Sequence, residues 1–251
     1  MTDAADSAHA ERVLIVNGDD FGRTPGINAG VARAHEHGIL TSASLMVRWP
    51  AAMAAAAYCR DRPMISLGLH LDLGEWVYRE GTWRGLYQVV DTSDPRAVQG
   101  EVRAQLEAFR DAVGRDPSHI DSHQHVHLSE PVRSVVLHEA QRLQVPARGC
   151  ATGVHYCGDF YGQSGTGEPW SEGITVNALV RIIHGLDAGI TELGCHPGEA
   201  DDFNSVYRVE RTQEVKVLCH PEVRRALAQA NVRLASFPPA KSATYSRRMS
   251  P

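Results

Sequence analysis

At 251 residues with 43% apolar side chains, the chain can bury a large core and fits one α/β domain. A net charge of −5 and a pI near 6.2 leave no basic surface for a phosphate backbone, which argues against nucleic acid as a partner. The start, MTDAADSAHA, is polar and acidic, and the apolar run after it, Val13 to Val16, is only strand-length. Neither a signal peptide nor a membrane span is read there, so the expectation is a cytoplasmic protein without a membrane partner.

The predicted elements alternate along the chain. RVLIVN reads as a strand and INAGVARAHEHG as a helix; LTSASLMV is followed by AAMAAAAYCR, ISLGLHL by DPRAVQGEVRAQLEAFRDAVG, and HIDSHQHVH by EPVRSVVLHEAQRL. VPARG, a long loop, TVNALVRIIHGLDAG, ITELGCH, EVRRALAQA and VRLAS complete about seven strands in parallel β/α units. A closed or nearly closed barrel is the simplest arrangement. Gly38, Gly114 and Gly189 stand where left-handed helix caps are expected. Residues 74–93, 149–173 and 197–207 break the rhythm and are expected as functional loops. The domain spans 1–251, with a core at about 12–236 between a polar N-terminal extension and a tail from Phe237 that wraps the surface or is disordered. The five cysteines lack a C-x-x-C pair and read as free thiols, with Cys195 beside His196 as a pocket wall.

Strand ends locate the chemistry. Asp19 and Asp20 follow strand one, His70 ends strand three, His123 lies at strand four and His196 ends strand six, and in a β/α barrel these ends share one rim. Buried carboxylates and imidazoles are costly unless paired or metal-bound, and two adjacent carboxylates raise one another's pKa unless a cation intervenes. In an extended HIDSHQHVH, His123, His125 and His127 point to one face, so any of the three fits as a ligand, the others then touching substrate or supporting the ligands. Only 6% of the chain is aromatic, yet Trp76, Tyr78, Trp83, Tyr156, Phe160, Tyr161 and Trp170 fall in two rim loops, where flat faces suit sugar rings or simply pack the loops. His125, His127, Arg148, Trp76, Tyr156 and Trp170 are the candidate substrate contacts, Arg148 having carboxylate pairing as its other reading.

VNGDDFG, TSASLM, GLHLDL, HIDSHQHVH and ELGCHPGE, in this order, resemble the YdjC-like carbohydrate deacetylases over roughly residues 12–235. The resemblance implies an imperfect seven-stranded β/α barrel related to polysaccharide deacetylases. It also implies one divalent cation held by Asp20, His70 and His123, with Asp19 as general base and His196 as general acid. The family often has a histidine where this chain has Gln124; under period two Gln124 faces away from His123, so the site is expected to survive with altered packing nearby.

The expected chemistry is removal of the N-acetyl group from an amino sugar or short oligosaccharide. The cation, magnesium, zinc, manganese or cobalt by ligand type, polarises the carbonyl and acidifies water, Asp19 takes the proton, His196 protonates the amine, and Asp121 orients an imidazole. The competing readings are an iron oxygenase, an amidohydrolase or phosphoesterase on a similar barrel, and a non-catalytic sugar- or metal-binding protein. The sequence is compatible with a monomer or a homodimer.

Overall fold

The structure, a computed structural model, describes residues 11–199 and 207–240. The expectations for the N-terminal extension up to residue 10, for positions 200–206 of the third loop and for the tail from 241 lie outside the described residues. In chain order come β1 (Arg12–Phe21), α1 (Pro25–Glu36), β2 (Ser42–Leu45), α2 (Ala52–Arg60), β3 (Ser66–Leu71), β4 (Gly74–Arg79), β5 (Thr82–Gln88) and α3 (Pro95–Val113). There follow β6 (Ile120–Ser122), α4 (Val132–Leu143), β7 (Val154–Cys157), α5 (Val176–His184), β8 (Gly189–Cys195), α6 (Val209–Leu218), α7 (Pro221–Gln229) and β9 (Val232–Leu234).

Seven of the strands form one curled sheet in the order β6-β3-β2-β1-β8-β7, with β9 paired to the start of β1. Every pairing in it is parallel, as the β/α alternation requires. β1 sits at the centre because Val13, Leu14, Ile15 and Val16 are apolar toward both faces, the composition a doubly covered parallel strand needs. The helices start where the sequence supplies caps. The Thr24 hydroxyl accepts from Ile27 N at 3.2 Å ahead of Pro25, Asp94 accepts from Arg96 N at 2.8 Å ahead of Pro95, and Thr175 accepts from Ala178 N at 3.1 Å.

Several expectations are revised by the structure. Gly114 is a left-handed cap at φ 80°, but α1 ends on His37 and α5 on Gly185, while Gly189 begins β8. HIDSHQHVH is not an extended strand: β6 ends at Ser122, and His123–Leu128 coils into a 3-10 segment with Gln124 and His125 at φ 51° and 54°. The alternation that put three histidines on one face is therefore broken. VPARG contributes a single bridge, Ala147 to Ile120, and the seventh strand of the sheet is instead β7, inside the expected loop 149–173. Between Ala147 and β7 the barrel has a seam. Residues 74–88 are a hairpin, β4–β5, whose two-residue turn Glu80-Gly81 has both φ positive, the geometry that matches strand twist. Among the described residues no helix is long and apolar enough to cross a membrane.

Candidate active site

The register of β1 shifts between Gly18 and Phe21, where it meets β2, and Asp20 takes a left-handed φ of 61°. This bulge lets neighbouring carboxylates serve different partners. Asp20 Oδ1 lies 3.1 Å from His123 Nδ1 and 3.3 Å from His70 Nε2, and its other oxygen accepts from Arg211 on α6. The ligand atoms of Asp20, His70 and His123 all lie within 4.8 Å of one another.

A divalent cation fits this donor set. His70 Nε2 is buried without a hydrogen-bond partner. On the opposite ring edge, Nδ1 is 2.8 Å from Asp121 Oδ1, the carboxylate support that fixes a ligating imidazole's tautomer. His123 Nε2 is 3.7 Å from Glu75, which also pairs with Arg23. Burial works against ionising His70, but Asp121 and Asp20 outweigh it and lift its pKa to about 10, and Asp20 likewise raises that of His123 against the cost of burial. Burial would raise the pKa of Asp20, but Arg211 and His123 hold it well below the usual carboxylate range.

Asp19 turns the other way. Its oxygens accept from Arg148 Nη1 at 2.6 Å and Nη2 at 2.7 Å, and Asn17 Nδ2 donates to it at 2.8 Å. Against the penalty of burial, Arg148 keeps this carboxyl far below its ordinary pKa. Arg148 also reaches Asp121 and Glu192, each at 2.7 Å, so one fully buried guanidinium serves three carboxylates. Burial still lifts Glu192 to about 7 despite Arg148.

His196 Nε2 stands 3.7 Å from Asp19, and the His196 side chain is 20% exposed. Burial lowers its pKa to about 4, against the pull of Asp19 and Asp20, so the resting ring is neutral. Tyr161 and Tyr207 stack at 4.6 Å, and the His196 ring meets both edge-on at 5.3 and 5.5 Å. Glu214 accepts from His196 N–H and from the Tyr207 hydroxyl, and burial raises its pKa to about 8. The loop after His196 lies directly on α1: a Cβ on Gly30 would come within 2.3 Å of Gly198 Cα.

Asp19, Asp20, His123 and His196 line a cleft of about 610 Å³. Of the candidate substrate contacts, Trp76, His125 and Tyr156 also face it, the Tyr156 hydroxyl lying 3.3 Å from His125 Nε2. Three others are elsewhere. Arg148 has no exposed side chain and acts as an internal counter-charge. His127 is buried between Ser122 Oγ at 2.6 Å and the Arg148 carbonyl at 3.0 Å. Trp170 is 49% exposed and does not line the cleft. Glu75, Glu192, Arg211 and Glu214 were not anticipated. Glu192 did carry a signal, an acid in the middle of the apolar strand ITELGC; the other three depend on which face of a hairpin or helix turns inward.

A family profile described as YdjC-like protein matches residues 13–229. The chain belongs to the YdjC-like family. Among similar proteins, a carbohydrate deacetylase of Brevibacillus brevis is 30% identical, the match covering 89% of this chain and 98% of the relative. A chitooligosaccharide deacetylase of Salmonella dublin is 32% identical over 90% and 98% of the two chains. Among solved structures, a candidate cellobiose-phosphate cleavage protein of Enterococcus faecalis aligns with TM-score 0.74 and 24% identity over 91% of this chain and 98% of that one. A family 4 carbohydrate esterase of Streptomyces lividans, bound to acetate, aligns at TM-score 0.55 and 13% identity over 90% and 92%. This chain thus shares its α/β half-barrel fold with both of these proteins.

Proposed function

We propose that this YdjC-like protein is a metal-dependent deacetylase that hydrolyses the N-acetyl group of an amino sugar or short oligosaccharide. The reading is carried by one juxtaposition: the Asp20, His70 and His123 cluster beside the Asp19–His196 pair, all but the buried His70 lining a 610 Å³ cleft. The names of its relatives point the same way.

A divalent ion held by Asp20, His70 and His123 would supply electrophilic activation of the acetamide and acidify water. Asp19 accepts the water proton at Oδ2. Because Arg148 holds Asp19 so acidic, that proton passes on readily, and the neutral His196 ring, 3.7 Å away, takes it at Nε2. His196 then delivers it to the departing amine nitrogen. Arg148 orients Asp19, while the Tyr161–Tyr207 pair and Glu214 hold His196 on the opposite side.

The test is acetate release from N-acetylglucosamine oligomers by metal-stripped protein reconstituted with magnesium, manganese, cobalt or zinc. Release with at least one metal is expected, and its absence with all four rejects the proposal. Asp19→Asn is expected to bind metal yet lose nearly all turnover, and His196→Ala to lose kcat more than KM.

A further inference from the structure

The aromatic wall of the cleft is tied to the metal-ligand segment by a contact peculiar to Gln124. Its side-chain amide meets the backbone of Trp76 twice: Trp76 N donates to Oε1 at 2.8 Å, and Nε2 donates to the Trp76 carbonyl at 2.7 Å. The side chain thus imitates a neighbouring β-strand for one residue of the hairpin. An amide presents an acceptor and a donor side by side, whereas a histidine ring presents its two nitrogens in diverging directions and satisfies at most one of the pair. Gln124 reaches Trp76 because its backbone is left-handed at φ 51°, a sparsely populated state for a residue with a side chain.

The Trp76 indole lies over glycine. A Cβ on Gly74 would come within 2.9 Å of the benzo end of the ring, and one on Gly85, directly across the hairpin, within 3.6 Å of Nε1. With no side chains beneath it, the ring rests against the hairpin backbone, and Trp76 lines the cleft that holds Asp19, Asp20 and His196. A flat apolar face set beside polar reacting groups matches the C–H face of a pyranose.

We infer that Gln124 is a positioning residue that locks Trp76 as a stacking platform for a sugar ring of the substrate, so that selection for ring-form amino sugars runs through this clamp. The ligand class rests on the deacetylase reading; the clamp itself does not. Because Gln124 bonds only backbone atoms of Trp76, Trp76→Ala removes the platform and leaves the clamp, which separates the two.

The experiment uses full-length, metal-loaded protein carrying Asp19→Asn to suppress turnover. Titration with di-N-acetylchitobiose is followed by calorimetry and tryptophan fluorescence. Trp76→Ala is expected to raise Kd about five- to tenfold and to abolish the fluorescence change. Gln124→Ala should raise Kd severalfold, Gln124→Glu, which keeps only the acceptor, should fall between, and the double variant should bind no worse than Trp76→Ala alone. Parent-like affinity in Trp76→Ala, or additive losses in the double variant, overturns the inference. Chitobiose binding that depends on Trp76 without acetate release in the parent chain rejects only the deacetylase reading. Acetate release whose KM is indifferent to Trp76→Ala rejects only the platform.

Discussion

Replacing Arg148 by glutamine removes the one cation shared by Asp19, Asp121 and Glu192, all within 2.7 Å of its nitrogens and all essentially inaccessible to water. Glutamine retains hydrogen-bonding capacity but no charge, so the variant leaves Asp19 and Glu192 buried without their cation, while Asp121 keeps His70. Breaking a single buried pair from one side costs about 3–5 kcal/mol, and the shared geometry places Arg148→Gln at the upper end of that range. Glu192, already lifted to about 7 by burial, is the partner best able to relieve the deficit by taking a proton. The deficit should therefore shrink as pH falls from 7 toward 5.5, and adding Glu192→Gln should restore part of it. Urea denaturation of metal-free protein at several pH values measures this. A loss under about 1 kcal/mol at pH 7, or one that grows as pH falls, would refute the account of Arg148 as internal counter-charge.

Cation binding should displace protons from the two imidazoles, whose pKa values Asp20 helps to raise, seen as a dependence of calorimetric heat on buffer ionisation enthalpy; Asp20→Asn should weaken binding at least about tenfold. Gly30→Ala drives a methyl into Gly198 and displaces the loop carrying His196; kcat is expected to fall about tenfold to a hundredfold while metal affinity, by titration, stays close to the parent. His119 is buried, stacks on Phe237 at 4.1 Å and has its pKa lowered to about 4 by burial. The unfolded chain takes up its proton near pH 6.5 and the folded chain only near 4, so stability is present above that window and lost as pH falls through it, by about 3 kcal/mol at most. His119→Gln should flatten this part of the stability curve in acid titrations; an unchanged slope would remove His119 as its source.

The barrel was legible in the sequence because β1 opens on the continuous apolar run Val13–Val16, β3 repeats leucine, and helices such as α1, α3 and α5 carry a cap and an amphipathic stripe. Asp19, Asp20, His70 and His196 were legible because each stands at the C-terminal end of a strand: the first two among the last three residues of β1, His70 next to last in β3, and His196 immediately after β8. What escaped notice had a different inward chemistry. α6 turns Arg211 and Glu214 toward the carboxylates and His196, so its buried face is charged and the usual 3.6-residue apolar rhythm is absent. The β4–β5 hairpin is largely exposed and its alternation pairs aromatic with charged residues, which reads as loop although Glu80-Gly81 marks the turn. The departure from strand at His123 could not be read from period-two spacing at all, because two consecutive left-handed residues, Gln124 and His125, reset it.

The seam beside Ala147 gives the molecule a preferred line along which to breathe. Backbone pairing stops after one bridge there, and what crosses to the far side is side chains: Arg148, bonded to Glu192 on β8 and set 4.9 Å over the Tyr156 ring on β7, and His125, 3.3 Å from the Tyr156 hydroxyl. Opening along that line breaks these side-chain contacts and leaves the ladder from β6 round to β8 intact, so amide protons of β7 should exchange well before those of β1. A fluctuation of this kind would also loosen Asp19 from its guanidinium, tying the local opening of the barrel to the poise of its reactive carboxylate.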